Sequence, residues 1–279
     1  MSTSPPPELS VAAAPTARSA RARGAGLRWA LPSVLTVAVL VVLWQVYVTT
    51  SGIRPQVLPS PMRVLEQGWA HRDDIATHAA ATLQVTLLGF AVSLTLAWVL
   101  AIVVDFSPWL RRALVPLFVA SQTVPIIAVA PLMIIWFGFG LLPKILVVSL
   151  VTFFPMAIGL IEGFAAADRE AGALLRSMGA SRVQVFRYVR LPSAIPRFFT
   201  ALRIGITYAV VGAVFAEYVG ASEGLGIYMS LQKNSFRTDL VLAAVLVTAL
   251  LSIALYLATF AVERLVAPWS RARNRSGHD

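Results

Sequence analysis

Few side chains in this 279-residue sequence can do covalent chemistry. It has no cysteine, which removes disulfides, thiol nucleophiles and thiolate metal sites. His71, Asp73, Asp74 and His78 fall close together, but no His-Glu-x-x-His spacing sets two imidazoles on one helix face for a metal. The string His71-Arg72-Asp73-Asp74 stands without any other kinase feature. No G-x-x-x-x-G-K-[ST] loop is present to cradle nucleotide phosphates, so no ATP or other cofactor is expected on this chain. What remains are polar residues where apolar segments are interrupted. Gln122 and Thr123 precede Pro125 and Pro131, Thr207 and Tyr208 lie inside an apolar run, and Glu217 stands near the end of that run. Such groups can bind or gate a solute. The plainer readings are a kink resolved by a neighbouring helix for the prolines and an interfacial, solvated carboxylate for Glu217.

The elements that must position these residues are apolar. The composition is 58% hydrophobic and 13% charged, half the charge of an ordinary soluble domain. A bilayer-spanning helix needs about 20 apolar residues. Six segments qualify: Trp29–Thr49, Ala79–Val104, a charge-free run between Arg112 and Lys144, Ile145–Ile161, Phe198–Ala216 and Leu240–Val262. The third is longer than one straight span needs and holds Pro116, Pro125 and Pro131, which predicts a kinked or broken helix. Residues 1–28 are rich in Ala, Pro, Ser and Arg and read as a disordered basic tail, and residues 265–279 as a second one. The apolar stretch after Arg28 is too long for a signal-peptide core and no A-x-A site closes it, so an uncleaved anchor is expected. Residues 29–264 form the membrane domain.

An even number of spans puts both termini on one side. Sixteen of the 23 basic residues fall in the tails and in the 2–3 and 4–5 connections, against six in the alternate connections. The imbalance predicts cytoplasmic termini. Arg203 lies within the fifth span, either snorkelling to the interface or contacting the 4–5 connection or a second copy. Trp98 and Trp136 read as packing or interfacial aromatics.

The 4–5 connection, residues 163–197, is more than a basic loop. Asp168 can cap a short helix, Gly179 can end it in the left-handed conformation, and Ser181 with Gln184 forms a capping box for a second helix. Val185, Phe186 and Val189 share one face of that second helix. Leu191 before Pro192 is biased out of the helix and is expected to end it. A DNA-binding helix–turn–helix is excluded by the tether to spans at both ends. A loop whose arginines only set topology and a docking element for a cytoplasmic protein stay open.

Gly179, nine residues, Val189, one residue and Leu191-Pro192 resembles the G-x9-[IV]-x-L-P half of the loop shared by permease subunits of bacterial ABC importers. Ala173-Leu174-Leu175 occupies the place where that loop usually has Glu-Ala-Ala, and the nearest glutamate is Glu170, one helical turn earlier. The resemblance extends over most of the chain after residue 55. It includes Leu58-Pro59-Ser60-Pro61, the run Pro131–Gly140, Phe153-Phe154-Pro155 and the run Glu217–Met229. These look like the sulfonate, taurine, nitrate and thiamine-pyrimidine-precursor branch. The resemblance implies an all-α permease that couples through Glu170, Gly179, Ala180, Val185, Phe186, Val189, Leu191 and Pro192. It implies ATPase subunits carrying ATP and magnesium, a solute-binding protein outside, and pairing in the inner membrane with a second permease, either another copy of this chain or a related one. A pyrimidine precursor or related heteroaromatic is the expected solute, and a sulfonate or nitrate the alternative. A self-sufficient secondary carrier is the reading from another class. No internal repeat supports it, and no nucleic acid is expected as a partner.

Overall fold

Apolar segments in lipid must bond their backbone groups internally, and every regular element among the described residues is helical. The computed structural model describes residues 18–267, with side chains from Leu31 onward. Helix α1, Arg18–Ser51, belongs to one unit, and the chain from Arg54 forms a second. Because α1 begins at Arg18, residues 18–28 are helical and not the irregular tail their composition suggested. Arg, Ala and Leu are good helix formers and extend the apolar helix backwards. The rest of that tail, and the tail beyond Ala267, lie outside the described residues.

The second unit contains α2 (Pro61–Ala70), α3 (Arg72–Phe106), α4 (Pro108–Ser121), α5 (Ile126–Phe137) and α6 (Leu141–Ala165). There follow α7 (Arg169–Ser177), α8 (Arg182–Val185), a π-helical turn at Phe186–Arg190, α9 (Leu191–Gly220), α10 (Leu225–Asn234) and α11 (Thr238–Val266). Among the described residues, α1, α3, α6, the run through α8 and α9, and α11 are long and apolar enough to cross a membrane. Helices α4 and α5 are apolar and long enough only as a pair, bent by 101° at their junction, which is the geometry of a broken span or a re-entrant loop; taken as one span they make the sixth. The predicted break is therefore present, and it falls at Gln122–Pro125. Pro125 caps α5 in an extended conformation, while Pro116 and Pro131 are accommodated inside their helices.

Helix α6 packs between α3 and α9. Its contact with α9 is close because small residues face each other. A Cβ at Gly159 would lie 2.4 Å from the Ala201 Cβ, and one at Gly163 would lie 2.9 Å from the Ala194 Cα. Met156, Leu160 and Phe164 of α6 are buried with Ala97 and Ala101 of α3 and Phe198 and Leu202 of α9. Trp98 joins this core edge-on to Phe198, whereas Trp136 is exposed. The Ser149 hydroxyl donates 2.9 Å to the Gly89 carbonyl and ties α6 to α3. At the other end, Ser60 caps α2 with Pro61 in its first turn, which explains Leu58-Pro59-Ser60-Pro61 locally. Val64 of α2 then packs with Ile75, Leu225, Tyr228 and Leu240.

Arg203 neither snorkels nor reaches the 4–5 connection. Its guanidinium pairs with Glu263 of α11 and lies over the Phe260 ring, 3.9 Å from the centroid. Both side chains are largely covered, so two charges inside the helix bundle neutralise each other.

Candidate coupling element and pathway

The 4–5 connection is built from its caps. Asp168 accepts from the backbone N–H of Glu170 at 2.8 Å and of Ala171 at 3.3 Å, and so starts α7. Gly179 takes φ +85° and turns the chain, while the Ala180 N–H donates 2.9 Å to the Leu175 carbonyl. The capping box forms as expected: Ser181 N–H donates to Gln184 Oε1 at 2.7 Å, and Gln184 N–H donates to Ser181 Oγ at 3.3 Å.

Pro192 does not end the second helix. Leu191 is helical, at φ −60° and ψ −50°, and donates to the Phe186 carbonyl across the π-turn. The wider turn spaces the backbone ladder just before the proline ring, and the Ser193 hydroxyl bonds the Val189 carbonyl at 2.7 Å. Leu191 and Pro192 therefore form the first turn of α9, and the loop runs without interruption into the fifth span.

The apolar face of the second helix is also placed differently from the expected docking surface. Val185 is buried, Val189 is half-buried, and the Phe186 ring packs 5.4 Å from Phe106 and 5.1 Å from Phe164. This face belongs to the chain's own core. An amphipathic helix has one apolar stripe whichever body it packs on, so periodicity alone does not name the body. The exposed apolar residues of the element are Leu174 (63%), Met178 (75%), Val183 (63%) and Tyr188 (65%). Glu170, Gly179 and Ala180 lie near them, with Glu170 and Gly179 exposed and Ala180 partly so. Val183 and Tyr188 stand at i, i+3 spacing to Phe186 and Val185, so spacing alone did not separate the exposed residues from the covered ones. Arg190 fastens the element to α3 through both oxygens of Asp105, at 2.8 and 2.7 Å.

The pathway candidates separate into two groups. Gln122 and Tyr208 line one cavity of about 490 Å³, walled by the α4–α5 break, α6 and α9. Ser121, Phe154 and Pro155 contribute to the same wall, and no charged residue does. Thr123, Pro125, Pro131 and Thr207 are not among its lining residues. The Thr207 hydroxyl instead bonds back to the Arg203 carbonyl at 3.1 Å, and Thr123 to the Ala120 carbonyl at 2.7 Å.

Glu217 is not the solvated carboxylate its position suggested. It is fully buried at the end of α9 opposite the loop. Its Oε2 accepts from Thr82 Oγ1 at 2.9 Å and from the Gly226 N–H at 3.0 Å. Thr82 in turn accepts from the Leu225 N–H at 2.8 Å, and His78 Nδ1 from the Gly224 N–H at 3.0 Å. The glycines around it have a steric cause: a Cβ at Gly226 would fall 2.2 Å from the Val214 carbonyl oxygen. Glu217 thus pins the turn before α10 onto α3 and α9.

Apolar spans, a broken helix beside an uncharged cavity, and a capped two-helix element between spans define a polytopic membrane transport component. Residues 89–272 match the family model described as the binding-protein-dependent transport system inner membrane component. The chain is 34% identical over 243 residues to a formylaminopyrimidine transport permease protein of Halalkalibacterium halodurans, covering 87% of this chain and 97% of that one. It is 38% identical over 242 residues to a riboflavin transport system permease protein of Chloroflexus aurantiacus, covering 86% and 90%. It is 34% identical over 258 residues to a taurine transport system permease protein of Escherichia coli, covering 87% and 94%. A solved amino acid ABC transporter shares the fold at a TM-score of 0.56 and 16% identity, over 70% of this chain and 94% of that one. The chain belongs to the family of binding-protein-dependent transport system inner membrane components, and it is a permease subunit of ABC-importer type.

Proposed function

We propose that this permease moves a small, uncharged nitrogen heterocycle inward by alternating access, driven by ATPase subunits that dock on residues 168–190. The observation that carries the coupling half is the exposed apolar set Leu174, Met178, Val183 and Tyr188, held on a rigidly capped turn that continues into a membrane span. Exposed apolar clusters on an ordered element mark contact surfaces. The excess of arginine on this side supports a cytoplasmic loop and cytoplasmic termini. ATP and magnesium then belong to the ATPase chains, a binding protein delivers solute at the end bearing α10, and a second copy of the permease completes the pathway.

The cavity supports the solute class. Its lining offers the Gln122 amide, the Tyr208 phenol and the Phe154 ring without a cation. That chemistry stacks and hydrogen-bonds an aminopyrimidine or similar ring and leaves a sulfonate without a counter-charge. The test is reconstitution in proteoliposomes with the partner ATPase and binding protein. ATP-dependent uptake of a labelled aminopyrimidine, with little uptake of taurine, is expected. Gradient-driven uptake by this chain without ATPase overturns the coupling, and preferential taurine uptake overturns the solute class.

A further inference from the structure

A second cavity, of about 520 Å³, lies behind the coupling element and has a different character. Arg111 of α4, Arg169 and Arg176 of α7 and Arg190 of the π-turn surround it, with Asp168 as the lone acid. Two of these charges are already used. Arg190 is held by Asp105, and the Asp168 carboxylate caps α7. Arg111, Arg169 and Arg176 have no carboxylate partner among the described residues, and Arg176 Nε spends one donor on the Gly172 carbonyl at 3.2 Å. Phe164, Val185 and Val189 form an apolar floor. None of the exposed apolar residues of the coupling element lines this space.

The position is the level at which α4 begins and α6 ends, where spans give way to loop. We infer that this cavity binds the phosphate-bearing headgroup of an anionic membrane lipid. Three arginines without a carboxylate partner line one space, and arginine binds phosphate oxygens in a planar, two-pronged geometry that a lysine does not reproduce. Basic pockets between helix ends take anionic headgroups in membrane proteins. The apolar floor suits the glycerol and first methylenes of a lipid, and it gives nothing to a free phosphate ion. A lipid seated here touches both α4, through Arg111, and α7, through Arg169 and Arg176. The inference rests on the transmembrane reading of α4 and α6 and on nothing about the ATPase.

The test is native mass spectrometry of the full chain in detergent, titrated with phosphatidylglycerol and with phosphatidylcholine. The wild-type chain is expected to retain phosphatidylglycerol about tenfold or more tightly, since each basic residue near an anionic headgroup contributes measurably. Arg111→Gln combined with Arg169→Gln and Arg176→Gln removes that preference. The single change Arg169→Gln, on an exposed turn of α7, reduces it in a chain whose fold is not at issue. A preference unchanged in both variants overturns the proposal. Displacement of the lipid by millimolar inorganic phosphate overturns it in favour of a free-anion site. Displacement by the purified ATPase overturns it in favour of ATPase carboxylates. Co-purification of the ATPase, scored on the wild-type chain, reports separately on coupling: its absence with the wild-type lipid preference intact sinks that reading alone.

Discussion

Arg190 holds both carboxylate oxygens of Asp105, joining the π-turn at the head of the fifth span to the end of α3. The Asp105 side chain is 5% exposed and that of Arg190 is 39% exposed. Removing the arginine strands a buried carboxylate, whereas removing the acid leaves a cation that reaches water. Arg190→Gln is therefore expected to cost more than Asp105→Asn, by roughly 1 kcal/mol after allowing for the arginine's exposure. Thermal denaturation of both variants in detergent checks the order. A double-mutant cycle with a coupling energy near zero would show that the pair does not fasten the loop.

The coupling surface makes opposite predictions for neighbouring residues. Phe186→Asp buries a charge beside Phe106 and Phe164 and is expected to destabilise the fold by about 3 kcal/mol or more. Met178→Asp changes an exposed side chain and should leave membrane level and melting temperature unchanged. Its effect appears on ATPase co-purification, with a loss of about tenfold or more for a residue central to a contact. Pull-down of the ATPase at matched membrane levels decides, and retention of wild-type association by Met178→Asp rules out Met178 as a contact.

Two glycines separate steric from conformational cost. At Gly179 a Cβ meets nothing within 4 Å, but φ is +85°, so Gly179→Ala should cost only about 1–2 kcal/mol. At Gly226 a Cβ meets a backbone carbonyl at 2.2 Å and the Glu217 Cβ at 2.8 Å, so Gly226→Ala must displace α10 or the end of α9. A cost of about 3 kcal/mol or more is expected, as for an overpacked core. Melting temperatures measured side by side test this, and equal costs would contradict the packing described.

The cavity at the broken span predicts a selective effect on solute. Tyr208→Phe and Gln122→Leu remove hydrogen-bonding groups from the lining without touching the coupling element. Each is expected to raise KM for uptake several-fold, consistent with about 1 kcal/mol per lost hydrogen bond. ATPase co-purification should not change. Thr207→Val, outside the cavity lining, is the control and should transport normally. If Thr207→Val fails while Tyr208→Phe does not, the lining is wrongly assigned.

Local rules were read well from the sequence, and long-range facts were not. The caps at Asp168 and Ser181, the turn at Gly179 and the break before Pro125 each depend on a few adjacent residues, and all are present. Pro192 shows a local rule losing: the bias of Leu191 out of the helix is overcome by a π-turn, which leaves no mark in spacing. Val185 and Phe186 were visible as an apolar face, but the body that covers it is set by Phe106 and Phe164, far away in the chain. Glu217 had the look of a surface acid because its partner Thr82 lies 135 residues earlier. Arg203 likewise finds Glu263 on a different helix.

The uninterrupted run from Arg182 to Gly220 has a mechanical meaning. At about 1.5 Å per residue its 39 residues make nearly 60 Å of continuous helix, with the π-turn at Phe186–Arg190, Pro192 and Pro196 all grouped at the loop end. Fastened near one end to Asp105 and at the other to Thr82, this helix concentrates its bending at the π-turn and the two prolines, and the stretch from Arg197 to Gly220 holds neither. On the proposed docking, work delivered at the loop turns about that bend and reaches α10 and the turn before it. On that proposal the helix is a crank whose two journals are a salt bridge and a buried carboxylate.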